Sequence, residues 1–422
     1  MDKLDWNERY PDGFMFSLTD KDRRYLALDP IAPDLQSLTF TRKEDTLHTR
    51  VTVFFRGDTI VKVISETLAG KGGAFWLRQY EEYDTHLLTE ARQTLLPLTS
   101  RGKPKKLTAS NINAVTPFGC TFYIQIRSNT LFSDTEMCLA NRRSCKRFPL
   151  DPRDAIRAIR SEEDFRRFMD HYIATCREDY FDKLQAFKAS QKATVKFRPG
   201  DIFRMDYDRT QYCYGIITGE LKTLKSMAPL PREHSFLHLM TVPIMVRLYK
   251  IVTEDPNLTP ADLSAVPLGP VIICSDNDIL WGTHPIIGHK ILTPEDLYFK
   301  LNCTLQTHYT GRFTREGSSM IIEWGFASVK LTYEQISDVL KGRLDRFSLQ
   351  TGGVSTGIGP DFVSVDGSPN WADDRYDLLD PRNSDLRAEV FTCLGLDADT
   401  TFDRFAEKFG GLTRSQIISR MT

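Results

Sequence analysis

The chain has 422 residues, 41% of them hydrophobic, so it is long enough for about two or three cores and too apolar to remain a disordered polymer. Its 55 Lys+Arg against 56 Asp+Glu leave a formal net charge of −1, which argues against a nucleic acid held by neutralising many phosphates. No apolar run approaches the roughly 18 residues of a membrane span. The opening MDKLDWNERYPDGF lacks the apolar stretch of a secretory signal, so the expected location is the cytoplasm, with no membrane partner.

The first segment, 1–150, reads as an α+β domain. Thr49-Arg-Val-Thr-Val-Phe-Phe55 alternates, Gly57-Asp58 supplies a turn, and Thr59-Ile-Val-Lys-Val-Ile64 alternates again, the signature of a hairpin. Gly70-Lys-Gly-Gly73 follows, and the amphipathic stretch 75–92 is expected to be a helix. The run Arg101-Gly-Lys-Pro-Lys-Lys106 is the densest basic patch and reads as a solvated loop. Cys120-Thr-Phe-Tyr-Ile-Gln-Ile126 is another strand. Strands with one helix and no βαβ rhythm indicate α+β.

Over 151–193 the strongest periodic signal appears. Ser161 opens a capping pattern, and Phe165, Phe168, Met169, Tyr172, Ile173, Cys176, Tyr180, Leu184 and Phe187 recur every three or four residues. The expectation is one long amphipathic helix that bridges two domains, with oligomerisation through its stripe as an alternative.

The next segment, 194–345, is expected to be a β-rich module, either barrel-like or a twisted antiparallel sheet. Its strands are Asp201-Ile-Phe-Arg-Met205, Gln211-Tyr-Cys-Tyr-Gly-Ile-Ile217, a long run over 240–252 with Pro243 near its start, 266–274, Ile279-Leu-Trp281 and 318–324. Helical spacing then appears over 331–341, with Thr332 as N-cap and Gly342 as stop. The last segment, 346–422, reads as a loop over 351–367 and three short helices: 384–394 ended by Gly395, 401–409 ended by Gly410-Gly411, and one capped by Thr413 with Gln416.

Residues able to carry chemistry are few. The eight cysteines, at 120, 138, 145, 176, 213, 274, 303 and 393, form no CxxC pair and read as reduced thiols. His234 and His238 share a face on either a helix or a strand, but on a strand they would stand about 13 Å apart, too far to share a metal. His284 and His289, with Asp276 and Asp278 just upstream, are the one His/Asp group that could assemble a hydrolytic metal site. A tight Gly-Pro turn packed by Trp281 and imidazole is the plainer reading of that run. Neither Gly70–Gly73 nor Gly352-Gly-Val-Ser-Thr-Gly-Ile-Gly359 has the pattern of a phosphate-binding loop. There is no Gly-x-Ser-x-Gly elbow, and Cys213 between two tyrosines on a strand reads as a packed thiol. No catalytic residue and no cofactor is assigned.

Two stretches of the β-rich module resemble a known family. Phe197-Arg-Pro-Gly-Asp-Ile-Phe203 followed by Gln211-Tyr-Cys-Tyr-Gly-Ile-Ile217 is similar to the opening of the bacterial Immunity protein 26 family. Asp278-Ile-Leu-Trp-Gly-Thr-His-Pro-Ile-Ile-Gly-His289, then Leu292-Thr-Pro-Glu-Asp-Leu297, is similar to its second signature. The resemblance covers about a third of the chain. It implies a non-catalytic protein that neutralises a bacterial toxin by direct contact, within a polymorphic toxin or contact-dependent competition system. Some relatives carry a phosphotriesterase label, so a metal-dependent phosphoester hydrolase is the alternative. Aromatic anchors favour protein interfaces, which makes Tyr207, Tyr212, Tyr214, Trp281 and Trp324 the expected contact residues, joined by His284 and His289.

Overall fold

A computed structural model describes residues 18–43, 46–57, 59–71, 74–84, 99–103, 120–128, 133–227, 230–231, 234–237, 242–306, 318–349 and 377–421. The chain divides into two units, Met1–Thr194 with Asp208–Thr210, and Val195–Tyr207 with Gln211–Thr422. Both are built from helices and sheets that are antiparallel except for the β13–β16 pair, so the α+β expectation holds.

Unit one is a seven-stranded meander in which every strand pairs with its neighbours in sequence: β1 (Gln36–Lys43), β2 (Leu47–Arg56), β3 (Thr59–Lys71), β4 (Ala74–Asp84), β5 (Cys120–Ser128), β6 (Ser133–Asn141) and β7 (Lys146–Phe148). The β2–β3 hairpin expected at Gly57 is present, and Gly57 takes a φ of +57°. One prediction fails here. Ala74–Asp84 is a strand paired on both sides, with β3 and with β5, in place of the helix expected over 75–92. The stretch is rich in Phe, Trp and Tyr, and pairing on both edges overrides the helical reading. Residues 85–92 lie outside the described residues, as do Asp58, Gly72, Gly73 and residues 104–106 of the basic run.

The periodic run is divided into two helices, Glu162–Ala174 and Tyr180–Ala189. Ser161 caps the first through its side chain, as expected. It ends at Thr175, whose hydroxyl bonds the His171 carbonyl at 2.8 Å. The apolar spacing runs straight through the break, so periodicity alone could not reveal it. The stripe lies inside the core of unit one: Phe165, Phe168, Met169, Tyr172, Tyr180, Leu184 and Phe187 are buried with Phe122, Ile124 and Leu139 of the sheet. Those side chains are therefore not available as an oligomerising stripe. Beneath them Glu82, fully buried, takes Lys62 Nζ at 2.7 Å, the Tyr80 hydroxyl at 2.7 Å and the Arg23 guanidinium. Two cations on one carboxylate offset the cost of its desolvation.

Unit two holds two open sheets, and neither closes into a barrel. The first has the order β11-β10-β9-β8-β12, with β8 Asp201–Asp206, β9 Tyr212–Glu220, β10 Pro243–Leu248, β11 Ile272–Ser275 and β12 Ile286–His289. Apolar side chains cover both of its faces, with Phe203, Cys213, Val246 and Ile286 in one cluster and Ile202, Tyr214, Ile216 and Ile287 in the other. That explains the nearly unbroken apolar runs of β9 and β10. Pro243 is the first residue of β10, where a missing N–H is tolerated. The second sheet has the order β15-β14-β13-β16: β13 Leu301–Gln306, β14 Ser319–Trp324, β15 Ala327–Thr332 and β16 Ser348–Leu349.

Three local expectations in unit two need correction. Ile279 and Leu280 belong to a helical turn, Asn277–Leu280, and Trp281 is its C-cap. Of 266–274, the strand takes only its end, as Ile272–Ser275. The stretch 331–341 begins as the end of β15, passes through a single turn at Tyr333–Gln335, and becomes helical only at Asp338–Lys341. The C-terminal helices are found as Ser384–Cys393, Phe402–Lys408 and Arg414–Met421, and the Thr413–Gln416 capping box is formed. They close a core around Trp324, whose ring lies 6.3 Å from Phe391 and 5.6 Å from both Phe402 and Phe405. Residues 351–367 lie outside the described residues, as does the glycine-rich run within them.

Candidate functional site

The two sequence stretches that carry the family resemblance are neighbours in space. β12 pairs antiparallel with β8, setting Ile286 opposite Phe203, Gly288 opposite Ile202 and His289 opposite Asp201. The junction is fixed by local chemistry. Arg198 N–H donates to Asp201 Oδ2 at 2.9 Å and Asp201 N–H to the Arg198 carbonyl at 3.1 Å, which tightens the turn before β8. Gly200 sits inside that turn at a φ of +92°, donates its N–H to Ile217 and accepts from Lys290 N–H at 2.8 Å. A Cβ at this position would lie 2.3 Å from the Lys290 carbonyl oxygen and 2.7 Å from His289 Cε1, so only glycine fits.

His289 Nδ1 stands 2.9 Å from Asp201 Oδ1. Asp201 is buried, whereas His289 is exposed. The carboxylate orients the ring, and a neutral imidazole with its proton on Nδ1 presents Nε2 as an acceptor. Beyond it, Lys290 Nζ reaches Asp296 Oδ1 at 2.6 Å, and Asp296 Oδ2 accepts the Thr293 N–H at 2.9 Å. Burial pushes the Asp296 carboxyl up, but Lys290 and the Thr293 backbone N–H together hold it below its usual range. Ile291, the next residue, is 77% exposed, an unusual state for isoleucine.

Arg247 supports the segment from within. It is the one charge in the buried strand β10, and its guanidinium donates to the carbonyls of Gly269 at 2.6 Å, Asp296 at 2.8 Å and Leu268 at 3.2 Å. Desolvation lowers its pKa to about 10. The nearby Asp296 carboxylate partly counters that shift, while the bonds themselves go to backbone carbonyls. Its work is to satisfy carbonyls of the 268–269 and 295–296 turns that would otherwise be buried unpaired.

The residues expected to form the site divide sharply by exposure. Tyr207, Tyr212 and Tyr214 are core side chains; the Tyr214 hydroxyl donates to the Asp255 carbonyl at 2.6 Å, and Arg204 lies over the Tyr212 ring at 4.9 Å. Trp324 is equally buried and donates its indole N–H to the Phe299 carbonyl at 3.1 Å. His284 is buried and stacks on Phe203 with ring centroids 6.0 Å apart. Trp281 is half-buried, and His289 is exposed. For the metal alternative, His289 is engaged with Asp201 and His284 with Phe203. Asp276 is buried, with its carboxyl pushed up by desolvation, and Asp278 accepts the Thr283 and His284 N–H groups through its backbone carbonyl. Among the described residues no group of three or more His, Cys, Asp or Glu side chains forms a metal-ligand set. His234 is buried 3.5 Å from Glu323, and His238 lies outside the described residues. All eight cysteines are free thiols.

Sequence reasoning missed Asp201, Lys290, Ile291 and Arg247. The signal for Arg247 was available: a lone charge in an otherwise apolar strand, Pro243-Ile-Met-Val-Arg-Leu248. The signal for Asp201 was its place after Gly200 in the quoted motif.

Residues 198–311 match the family model described as Immunity protein 26. The match begins at the turn before β8 and takes in β12 and β13, so it spans the Asp201–His289 junction. Neither curated proteins nor solved structures gave a match to the chain.

Proposed function

We propose that this protein is an immunity protein that neutralises a bacterial toxin by direct contact, and that the contact surface is carried by the β8/β12 junction. The observation that carries this reading is the coincidence of two facts: the matched segment supplies both halves of the junction, and the junction presents an exposed, chemically mixed run, His289-Lys290-Ile291, on a rigid support. A histidine fixed by a buried aspartate, a lysine tethered by Asp296 and a bare isoleucine combine polar and apolar contact at one place. Rigid anchors of this kind lose little conformational entropy on binding. Trp281, half-buried before β12, is the remaining expected aromatic with surface to offer. The reading supplies a role without catalysis, and the buried Tyr207, Tyr212, Tyr214, His284 and Trp324 act in it as packing beneath the surface.

The test is co-expression of the chain with the toxin-domain protein encoded beside its gene. Protection of growth and a stoichiometric complex are expected. The variants Ile291→Asp and Ile291→Lys should each weaken that complex at least tenfold while leaving the melting temperature unchanged, since the Ile291 side chain is 77% exposed. Absence of protection and of any complex would overturn the reading. Full binding by both variants would keep the toxin but discard the surface.

A further inference from the structure

The helix Arg414–Met421 lies far beyond the matched segment, which ends at residue 311, yet it packs behind the turn that carries Ile291. It has eight residues, and isolated helices of that length are marginal in water, so it exists only where packing holds it. Arg414, Ile417, Ile418 and Met421 recur at three- and four-residue spacing and turn inward, whereas Ser415, Gln416, Ser419 and Arg420 are exposed. Its start is fixed twice. Arg414 N–H donates to Asp403 Oδ1 at 2.8 Å, and the Arg414 guanidinium lies 5.0 Å from the centre of the Phe402 ring.

The inward side chains reach two apolar clusters. Ile417 is fully buried in the core around Trp324, which also holds Leu221 and Leu297. Ile418 packs against that core and, at the same time, against the cluster of Ile202, Ile216 and Leu292. Met421 lies on β9, where Gly219 leaves room for it: a Cβ there would stand 2.5 Å from the Met421 Sδ. The stretch after β12 is pinned to the same two clusters, Leu292 in one and Leu297 in the other, and the single turn between them, Pro294–Asp296, packs on the helix. The Glu295 carboxyl of that turn is held below its usual range chiefly by its own backbone N–H and the Thr293 side chain, and Arg414 adds to the effect. Ile291 is the residue next to Leu292, so whatever fixes Leu292 fixes the direction in which Ile291 stands.

We propose that the C-terminal helix positions the toxin-contact surface, with Ile418 as the positioning residue: helix and turn order each other, and the ordered turn presents Ile291. This rests on the contact surface assigned to the β8/β12 junction. The stretch between β12 and β13 contains one short turn and no strand, so its fixity comes from what it buries. Ile418 is half-buried and joins the cluster that holds Leu292 to the core that holds Leu297. Truncating it loosens the link between them and leaves Trp324 with its Phe391, Phe402 and Phe405 neighbours in place. The effect is therefore local opening of the turn rather than loss of the fold.

The experiment is hydrogen exchange on the full chain, which needs no toxin. In Ile418→Ala the Lys290, Asp296 and Leu297 amides, which bond the Gly200, Thr293 and Pro294 carbonyls, should exchange at least about tenfold faster, while amides of the β13–β14 pair keep their rates. Ile418→Val, which keeps the branched side chain, should restore the slow rates. In the unmodified protein under mild denaturant, the Asp296 and Leu297 amides should open together with the Ile417 amide of the helix, ahead of the β13–β14 pair. Equal acceleration across unit two, unchanged rates in the turn, or separate opening of turn and helix would each overturn the proposal. Binding is the second readout: Ile418→Ala should weaken the toxin complex about tenfold and Ile418→Val should bind like the unmodified chain. Full binding by Ile418→Ala with a loosened turn would overturn the positioning role. No complex even with the unmodified chain would overturn the contact surface itself, and exchange alone would then decide whether helix and turn are coupled.

Discussion

Replacing Gly200 with alanine probes the β8/β12 junction most directly. Two costs add at this position. A side chain held at a φ of +92° is strained by roughly 1–2 kcal/mol. The new Cβ would also stand 2.3 Å from the Lys290 carbonyl oxygen, a backbone atom that no rotamer change can move. Overpacking of that kind adds about 1–3 kcal/mol. Gly410 is the control. It lies in the same unit at a φ of +73°, with open space for 4 Å around the place a methyl would take, so Gly410→Ala incurs the strain alone. At roughly 2–4 °C per kcal/mol for a unit of this size, Gly200→Ala should lower the melting temperature by about 10 °C and Gly410→Ala by about 3–5 °C. Calorimetry measures both. Hydrogen exchange adds a local readout: the Lys290 amide, which bonds the Gly200 carbonyl, should exchange faster in Gly200→Ala only. If the two variants melt within about 2 °C of each other, the clash is relieved at little cost and the junction is not the tight lock described above.

Two further outcomes follow from the supports of the junction. Because the folded protein holds the Asp296 carboxyl below its usual range, its charged form stabilises the fold at neutral pH, and that stabilisation is lost as pH falls below about 4. Asp296→Asn should therefore cost about 1–2 kcal/mol at pH 7, with the difference from the unmodified protein shrinking on acidification in denaturant titrations; a difference that stays constant down to acid pH would contradict it. Arg247→Met should cost about 2–4 kcal/mol, because it leaves the Gly269, Leu268 and Asp296 carbonyls buried without a donor. Equal stability of that variant, measured by chemical denaturation, would mean that an apolar side chain of similar size replaces the guanidinium without loss.

What could be read from the sequence was whatever depends on neighbours along the chain. The β2–β3 hairpin, the strands β8 and β9, and the capping boxes of the C-terminal helices are fixed by turn residues and alternation within about ten positions. The misreadings arose where distant partners decide. Ala74–Asp84 has a composition that fits either period, and only strands on both sides make it β4. The run Phe165 to Phe187 keeps its spacing across the break that follows Thr175. Aromatic residues suggested contact anchors at Tyr207, Tyr212, Tyr214 and Trp324, but the first sheet of unit two is covered on both faces and the C-terminal helices enclose Trp324, so those rings face inward. The Asp201–His289 pair spans 88 positions, and no local pattern joins them; the family resemblance named both stretches without saying that they touch.

That long span has a consequence for how the protein is made. As the chain leaves the ribosome, β8 emerges early but must wait for β12 before its edge is covered. The matched segment ends soon after β13, whose partner β14 and the Phe391, Phe402 and Phe405 rings around Trp324 come later still. Folding of unit two is therefore postponed until its last helices are synthesised, with apolar strands exposed in the interval. Unit one differs, because its meander pairs each strand with the one just made.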